Sequence, residues 1–237
     1  MTKTIDFVER VNTRANKTTN TKLSSKIKKA FTLSEVLITL SIIGVISALT
    51  IPTLYNKYQE QITISKLKKF YSTLNMAYNA TINSRGPAKY WGTKPITKNR
   101  AIKVYETLFE PHFKIEKNCG ISNEGDCLLN LKYTKFLGGE HYNYGEIKEN
   151  YKIILKDGSL TWFRGGDSQV EGEFLGVYYD VNGKKEPNRL GYDLFYFQGL
   201  NDKIVPFGID DYEVSCKKGG FQCTAWIIYK ENMKYLH

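Results

Sequence analysis

Residues 28–58 read KKAFTLSEVLITLSIIGVISALTIPTLYNKY, and a single acid, Glu35, stands near the start of their apolar run. Between Lys29 and Lys57 no other side chain carries a charge. A charged residue on a membrane helix is costly, about 2.5–3.5 kcal/mol on insertion scales, and normally has a partner. No Lys or Arg lies within a helical turn of Glu35 inside the segment, so the partner is expected from elsewhere. A cut between Ala30 and Phe31 would supply one, because the new α-amine has a pKa of about 7.7–8.0 and is largely protonated at neutral pH.

The length of the run decides what kind of segment it is. Crossing the hydrocarbon core of a bilayer takes about 20 mostly apolar helical residues, and Val36–Leu54 with the preceding Phe31–Ser34 supplies them. A secretory signal peptide is the plain alternative, but its apolar region runs only about 7–15 residues. This one is longer and continues into helical sequence. Pro52 lacks a backbone donor and clashes with the preceding turn, so a kink is expected there.

Charge is divided unevenly along the 237 residues. The net charge is +10, yet residues 1–30 hold eight Lys or Arg against only Asp6 and Glu9, which accounts for most of it. A basic flank before an apolar span is first an orientation signal: residues 1–29 stay in the cytoplasm and everything after about residue 56 lies on the other side. With 41% hydrophobic and 14% aromatic residues, the remainder reads as a folded domain rather than a disordered one.

Beyond the apolar run, Ile64, Leu67, Tyr71, Leu74 and Tyr78 recur at spacings of three and four, while Lys66, Lys68, Lys69 and Asn75 take the other faces. The helix is expected to end at Arg85-Gly86-Pro87. Then YKIILKDGSLTWF places Asp157-Gly158 between two β-prone runs, a hairpin signal. Further strands are expected near Glu173–Val181 and Tyr192–Phe197. The expected class is α+β, a long N-terminal helix whose amphipathic half is packed on a small antiparallel sheet. Its divisions are a leader at 1–30, an apolar helix half at 31–55, an amphipathic half at 56–84 and a globular domain at 85–237.

The stretch KKAFTLSEVLITLSIIGVISALTIP resembles the processing signal of type IV pilins and of the pseudopilins of type II secretion. It has basic residues, a small residue, Phe-Thr-Leu-x-Glu, and an apolar run carrying Gly44 and Pro52. Ala30 stands where the family usually has Gly, and the leader of thirty residues is long for that family. The resemblance implies cleavage after Ala30 by a prepilin peptidase, N-methylation of Phe31, and a pairing of Glu35 with a neighbour's amine during filament assembly. It also implies an inner-membrane assembly platform and other pilin-like subunits as partners, in the bacterial cytoplasmic membrane. The C-terminal stretches CTAWIIYKENMKYL and DVNGKKEPNRLGYDLFYF are similar to pilin-like proteins as well, whereas residues 85–145 carry no such likeness.

Four cysteines form two close pairs, Cys119 with Cys127 and Cys216 with Cys223. Placed outside the cytoplasm they are expected as disulfides, paired locally out of three arrangements. Zinc is not expected, since neither pair has metal spacing and His112, His141 and His237 are scattered. DVNGKKEPN opens like a calcium loop but fails as an EF-hand, with Lys184 and Gly191 at its fifth and twelfth positions. Some major pseudopilins hold calcium in a sheet loop, which leaves Asp180, Asn182 and Asp193 as candidates beside the plainer reading of a turn held by Asp and Asn side chains. No nucleophile elbow or phosphate loop occurs, so no enzyme, metal or other cofactor is expected.

The reading is therefore a structural subunit that assembles into a filament. Its rivals are a minor subunit, a membrane-tethered binding module or enzyme that never polymerises, and a pilin for DNA uptake. Nucleic acid is the weakest of these partners: Lys66, Lys68 and Lys69 are a small basic set, more often a solvated helix face.

Overall fold

The computed structural model describes residues 31–121, 127–128, 131–139, 141–142 and 147–237. The expected leader, including Ala30, lies outside the described residues. The chain divides into two compact units at Leu49/Thr50, six residues before the boundary expected from hydropathy.

Helix α1 runs from Leu33 to Arg85 with Pro52 inside it. It stops where expected: Gly86 takes a left-handed backbone, and its N–H closes the last turn on the Ile82 carbonyl at 2.8 Å. The next residue, Pro87, could not have continued the ladder. Short helices follow at α2 (Lys98–Val104), extended by a π-turn at Tyr105–Phe109, and at α3 (Tyr212–Gly219) and α4 (Cys223–Lys230).

The second unit is built on strands β1 (Ile115–Gly120), β4 (Tyr151–Leu155), β5 (Leu160–Gly165), β6 (Glu173–Asp180), β7 (Leu194–Leu200) and β8 (Lys203–Pro206). They lie in the order β1-β4-β5-β6-β7-β8, every neighbour antiparallel. A separate two-stranded piece joins β2 (Tyr133–Thr134) to β3 (His141–Tyr142). The Asp157-Gly158 turn does connect paired strands, with Ile154 opposite Leu160. Gly158 supplies the positive φ, and the Asp157 carboxylate accepts the Ser159 N–H at 3.1 Å.

Strand β7 begins two residues later than expected. Tyr192 and Asp193 belong instead to a turn in which the Arg189 carbonyl accepts from the N–H groups of Tyr192, Asp193 and Leu194.

The amphipathic half of α1 covers one face of the sheet. Ile64, Leu67, Phe70, Leu74, Ala77, Tyr78 and Thr81 are buried, while Tyr71 is only partly so. Phe70, absent from the expected stripe, is its centre: its ring stacks on Tyr179 at 3.9 Å and tilts against Phe197 at 5.7 Å. Because side chains alternate along a strand, Ile153, Phe163, Val177, Tyr179, Phe195 and Phe197 all point to this helix side. The intervening residues Leu160, Trp162 and Leu194 form a second cluster with Leu128, Leu131, Tyr133 and Leu190. The sheet is thus covered on both faces, larger and more enclosed than the expected small one.

Candidate functional site

The start of α1 answers the question posed by Glu35. The backbone N–H and the hydroxyl of Thr32 donate to Glu35 Oε2 at 2.8 and 2.9 Å, and the Glu35 N–H donates to Thr32 Oγ1 at 3.2 Å. The Thr32 carbonyl accepts the first helical bond, from Val36. This is a capping box, in which Thr at the N-cap and Glu three residues on satisfy donors that a helix end leaves orphaned. A carboxylate there also faces the positive end of the helix dipole. Within the chain, therefore, the carboxylate has local hydrogen-bond partners, through a Thr-x-x-Glu spacing that a search for charged partners alone passes over.

Two hydroxyls of the following segment are bonded within the helix. Thr39 Oγ1 donates to the Val36 carbonyl at 2.9 Å and Ser41 Oγ to the Leu37 carbonyl at 2.8 Å, as a helix in lipid requires. A side chain added at Gly44 would meet nothing within 4 Å, so its lack of a Cβ answers no contact among the described residues. Phe31 is 84% exposed, and every large apolar residue from Val36 to Leu54 is exposed too. Among the described residues this is the one helix long and apolar enough to cross a membrane, and none of its apolar stretch is covered.

A second polar cluster sits in the loop between β6 and β7. Asp180 and Asp193 are both buried. Asp180 accepts from the Tyr133 hydroxyl and from the N–H groups of Asn182 and Gly183, the last two at 3.0 and 2.8 Å. Asp193 accepts from the N–H groups of Asn188 and Arg189 at 2.7 and 2.6 Å and from Asn182 Nδ2 at 3.3 Å. Burial, joined by the charge of Asp193, pushes the Asp180 carboxyl well above the usual range, and burial pushes Asp193 up to about 6. Each carboxylate oxygen already accepts a hydrogen bond, which fits a turn held by its own side chains better than a calcium shell.

The cysteines are joined as Cys119–Cys127 and Cys216–Cys223. Lys66 donates to the Val181 carbonyl at 2.9 Å, and Lys68 pairs with Glu231 at 2.6 Å, tying α1 to the residue that follows α4. Both contacts lie within the second unit.

A long helix, apolar at one end and amphipathic where it packs on an antiparallel sheet, is an α+β arrangement consistent with the pilin-like fold. Residues 25–51 match the family model for the prokaryotic N-terminal methylation motif, the prepilin signal of type IV pilins and pseudopilins. The chain therefore carries the mark of a pilin-like precursor that a prepilin peptidase processes, anchored in a membrane by a single pass. It matches no curated protein and no solved structure.

Proposed function

We propose that the protein is a filament subunit of a type IV pilus or type II secretion system, with a structural rather than a catalytic role. The observation that carries this reading is the methylation motif at residues 25–51 leading into an apolar helix with no covered side chain. The precursor is held in the cytoplasmic membrane with its basic flank inside and residues beyond about 56 outside, the side on which the two disulfides persist. Cleavage after Ala30 leaves Phe31 as the methylated first residue. Both Thr32 bonds fall on Glu35 Oε2, which leaves Oε1 for the Phe31 ammonium of an adjoining copy. Gly44 lets neighbouring backbones approach closely, and the apolar helix halves bundle against one another on leaving the lipid.

The test is the intact mass and N-terminal peptide of the protein from its native membrane, with a strain lacking the prepilin peptidase as control. A chain beginning at methylated Phe31 only when the peptidase is present supports the pathway. An uncut chain, or one trimmed elsewhere, overturns it in favour of a tethered module that does not polymerise.

A further inference from the structure

The second unit carries a groove of about 380 Å³ outside the helix start and the β6–β7 loop. Its rim holds Lys66, Lys69, Lys114 and Lys156 against one acid, Asp157, and its floor is Phe70, Phe113, Leu155 and Tyr179. The floor residues are buried and committed to the core, so the groove offers little ring face for stacking and acts mainly through its charge. Among the described residues, Lys69, Lys114 and Lys156 have no carboxylate partner. The last two are held close together, since the Lys156 N–H donates to the Lys114 carbonyl at 3.0 Å. Lys114 and Lys156 stand just beyond the paired ends of β1 and β4, where like charges close to one another repel, and an incoming anion would turn that repulsion into attraction.

The complementary surface lies beyond the last strand of the same sheet. The groove is lined from α1, the residues before β1, the end of β4 with its turn, and Tyr179 of β6, while the segment Ile209–Val214 follows β8. That segment exposes Asp210 and Asp211, flanked by Ile209 and Val214, which are 41% and 67% exposed. Asp211 accepts from the Ser215 hydroxyl and Glu213 pairs with Lys230 at 2.7 Å, so Asp210 is the acid left to meet a cation.

We infer that the lysine-rimmed groove receives the Ile209–Val214 segment of a second copy of this chain. A basic socket beside α1 and the β4–β5 turn and an acidic, partly apolar plug after β8 are different surfaces, so their pairing is a heterologous contact, the kind that repeats from copy to copy and builds open helical assemblies. The inference rests on the filament reading and gives its folded units a contact separate from the Phe31–Glu35 pair.

The test places a photoreactive p-benzoylphenylalanine at Thr73, on the groove wall, in the full chain. Unlabelled and nitrogen-15-labelled chains are mixed, assembled and irradiated, and the products are sedimented and digested. The expected result is a mixed-isotope cross-link from Thr73 to the tryptic peptide Ile204–Lys217. Lys69→Glu with Lys156→Glu should cut its yield about tenfold, and pairing that chain with Asp210→Lys should restore a cross-link within residues 204–217, now cleaved by trypsin after position 210. If peptidase-dependent assemblies sediment but the cross-links go to another segment, to lipid, to nucleic acid or to a different protein, the docking inference falls and the filament reading stands. Failure of the charge swap to restore the cross-link has the same meaning. Mature chains that never sediment as assemblies overturn both.

Discussion

The two halves of α1 are built on one backbone and solve opposite problems. From Ile64 to Thr81 the helix buries one stripe against its own sheet, while from Val36 to Leu54 eleven large apolar side chains are all exposed. At about 1.5–3 kcal/mol for each such side chain, leaving that first half in water would forgo about 15–30 kcal/mol. A typical domain has only about 5–15 kcal/mol of stability in all. The first half must therefore be covered by lipid or by other chains, and the second needs neither. The half whose cover the chain does not supply is the one that carries the methylation motif.

The largest effect is expected from removing the charge at the apolar half without touching its fold. Glu35→Gln can still complete the capping box but cannot attract an ammonium. Losing one partner of a desolvated ion pair costs about 3–5 kcal/mol, so membrane insertion and cleavage should persist while sedimentable assemblies fall more than about a hundredfold. Normal assembly by this variant would remove the intersubunit role. In the other half, Phe70→Ala should destabilise the sheet unit by about 3–5 kcal/mol, measured by denaturant unfolding of the full chain in detergent. Ile43→Ala, at an uncovered position, should change that transition by less than about 0.5 kcal/mol. Equal effects of the two would erase the contrast between the halves.

The buried carboxylates of the sheet unit give a weaker, pH-dependent signature. Asp193 is raised from 3.8 to about 6, chiefly by burial, so the folded state keeps a proton that the unfolded chain releases. That stability is present below about pH 4 and is lost as pH rises through about 6. Unfolding free energy should accordingly rise by about 1 kcal/mol for this group as pH falls from 7 to 5, and further as pH falls toward 4. Asp193→Asn should flatten the profile. A local effect belongs to Thr32→Ala, which removes the cap and keeps the charge: about 1 kcal/mol of helix-start stability, with assembly largely retained. Hydrogen exchange at residues 33–36 would read the fraying.

Much of this architecture was legible because it depends on local pattern. The helix stop at Gly86-Pro87, the Asp157-Gly158 turn and the alternating strands follow from backbone geometry that each short stretch carries in itself. Phe70 was not, because a spacing of three and four admits both Phe70 and Tyr71, and only the rings of Tyr179 and Phe197 opposite select between them. The burial of Asp180 and Asp193 was equally hidden: residues 13 positions apart along the chain are brought together by the β6–β7 pairing, where Leu194 stands opposite Asp180. The second cover of the sheet by Leu128, Leu131 and Tyr133 came from a region whose sequence has no clear period.

The signal at residues 25–51, the apolar run and the capping box were all written in order along the chain. Their physics is that of near neighbours, a span of lipid or a single helical turn, so no distant residue was needed to read them. The face that α1 turns to the sheet, the enclosed carboxylates of the β6–β7 loop and the gathering of four lysines around one groove came only from the fold. Each depends on which strand lies beside which, and strand order is set by packing among residues far apart in sequence.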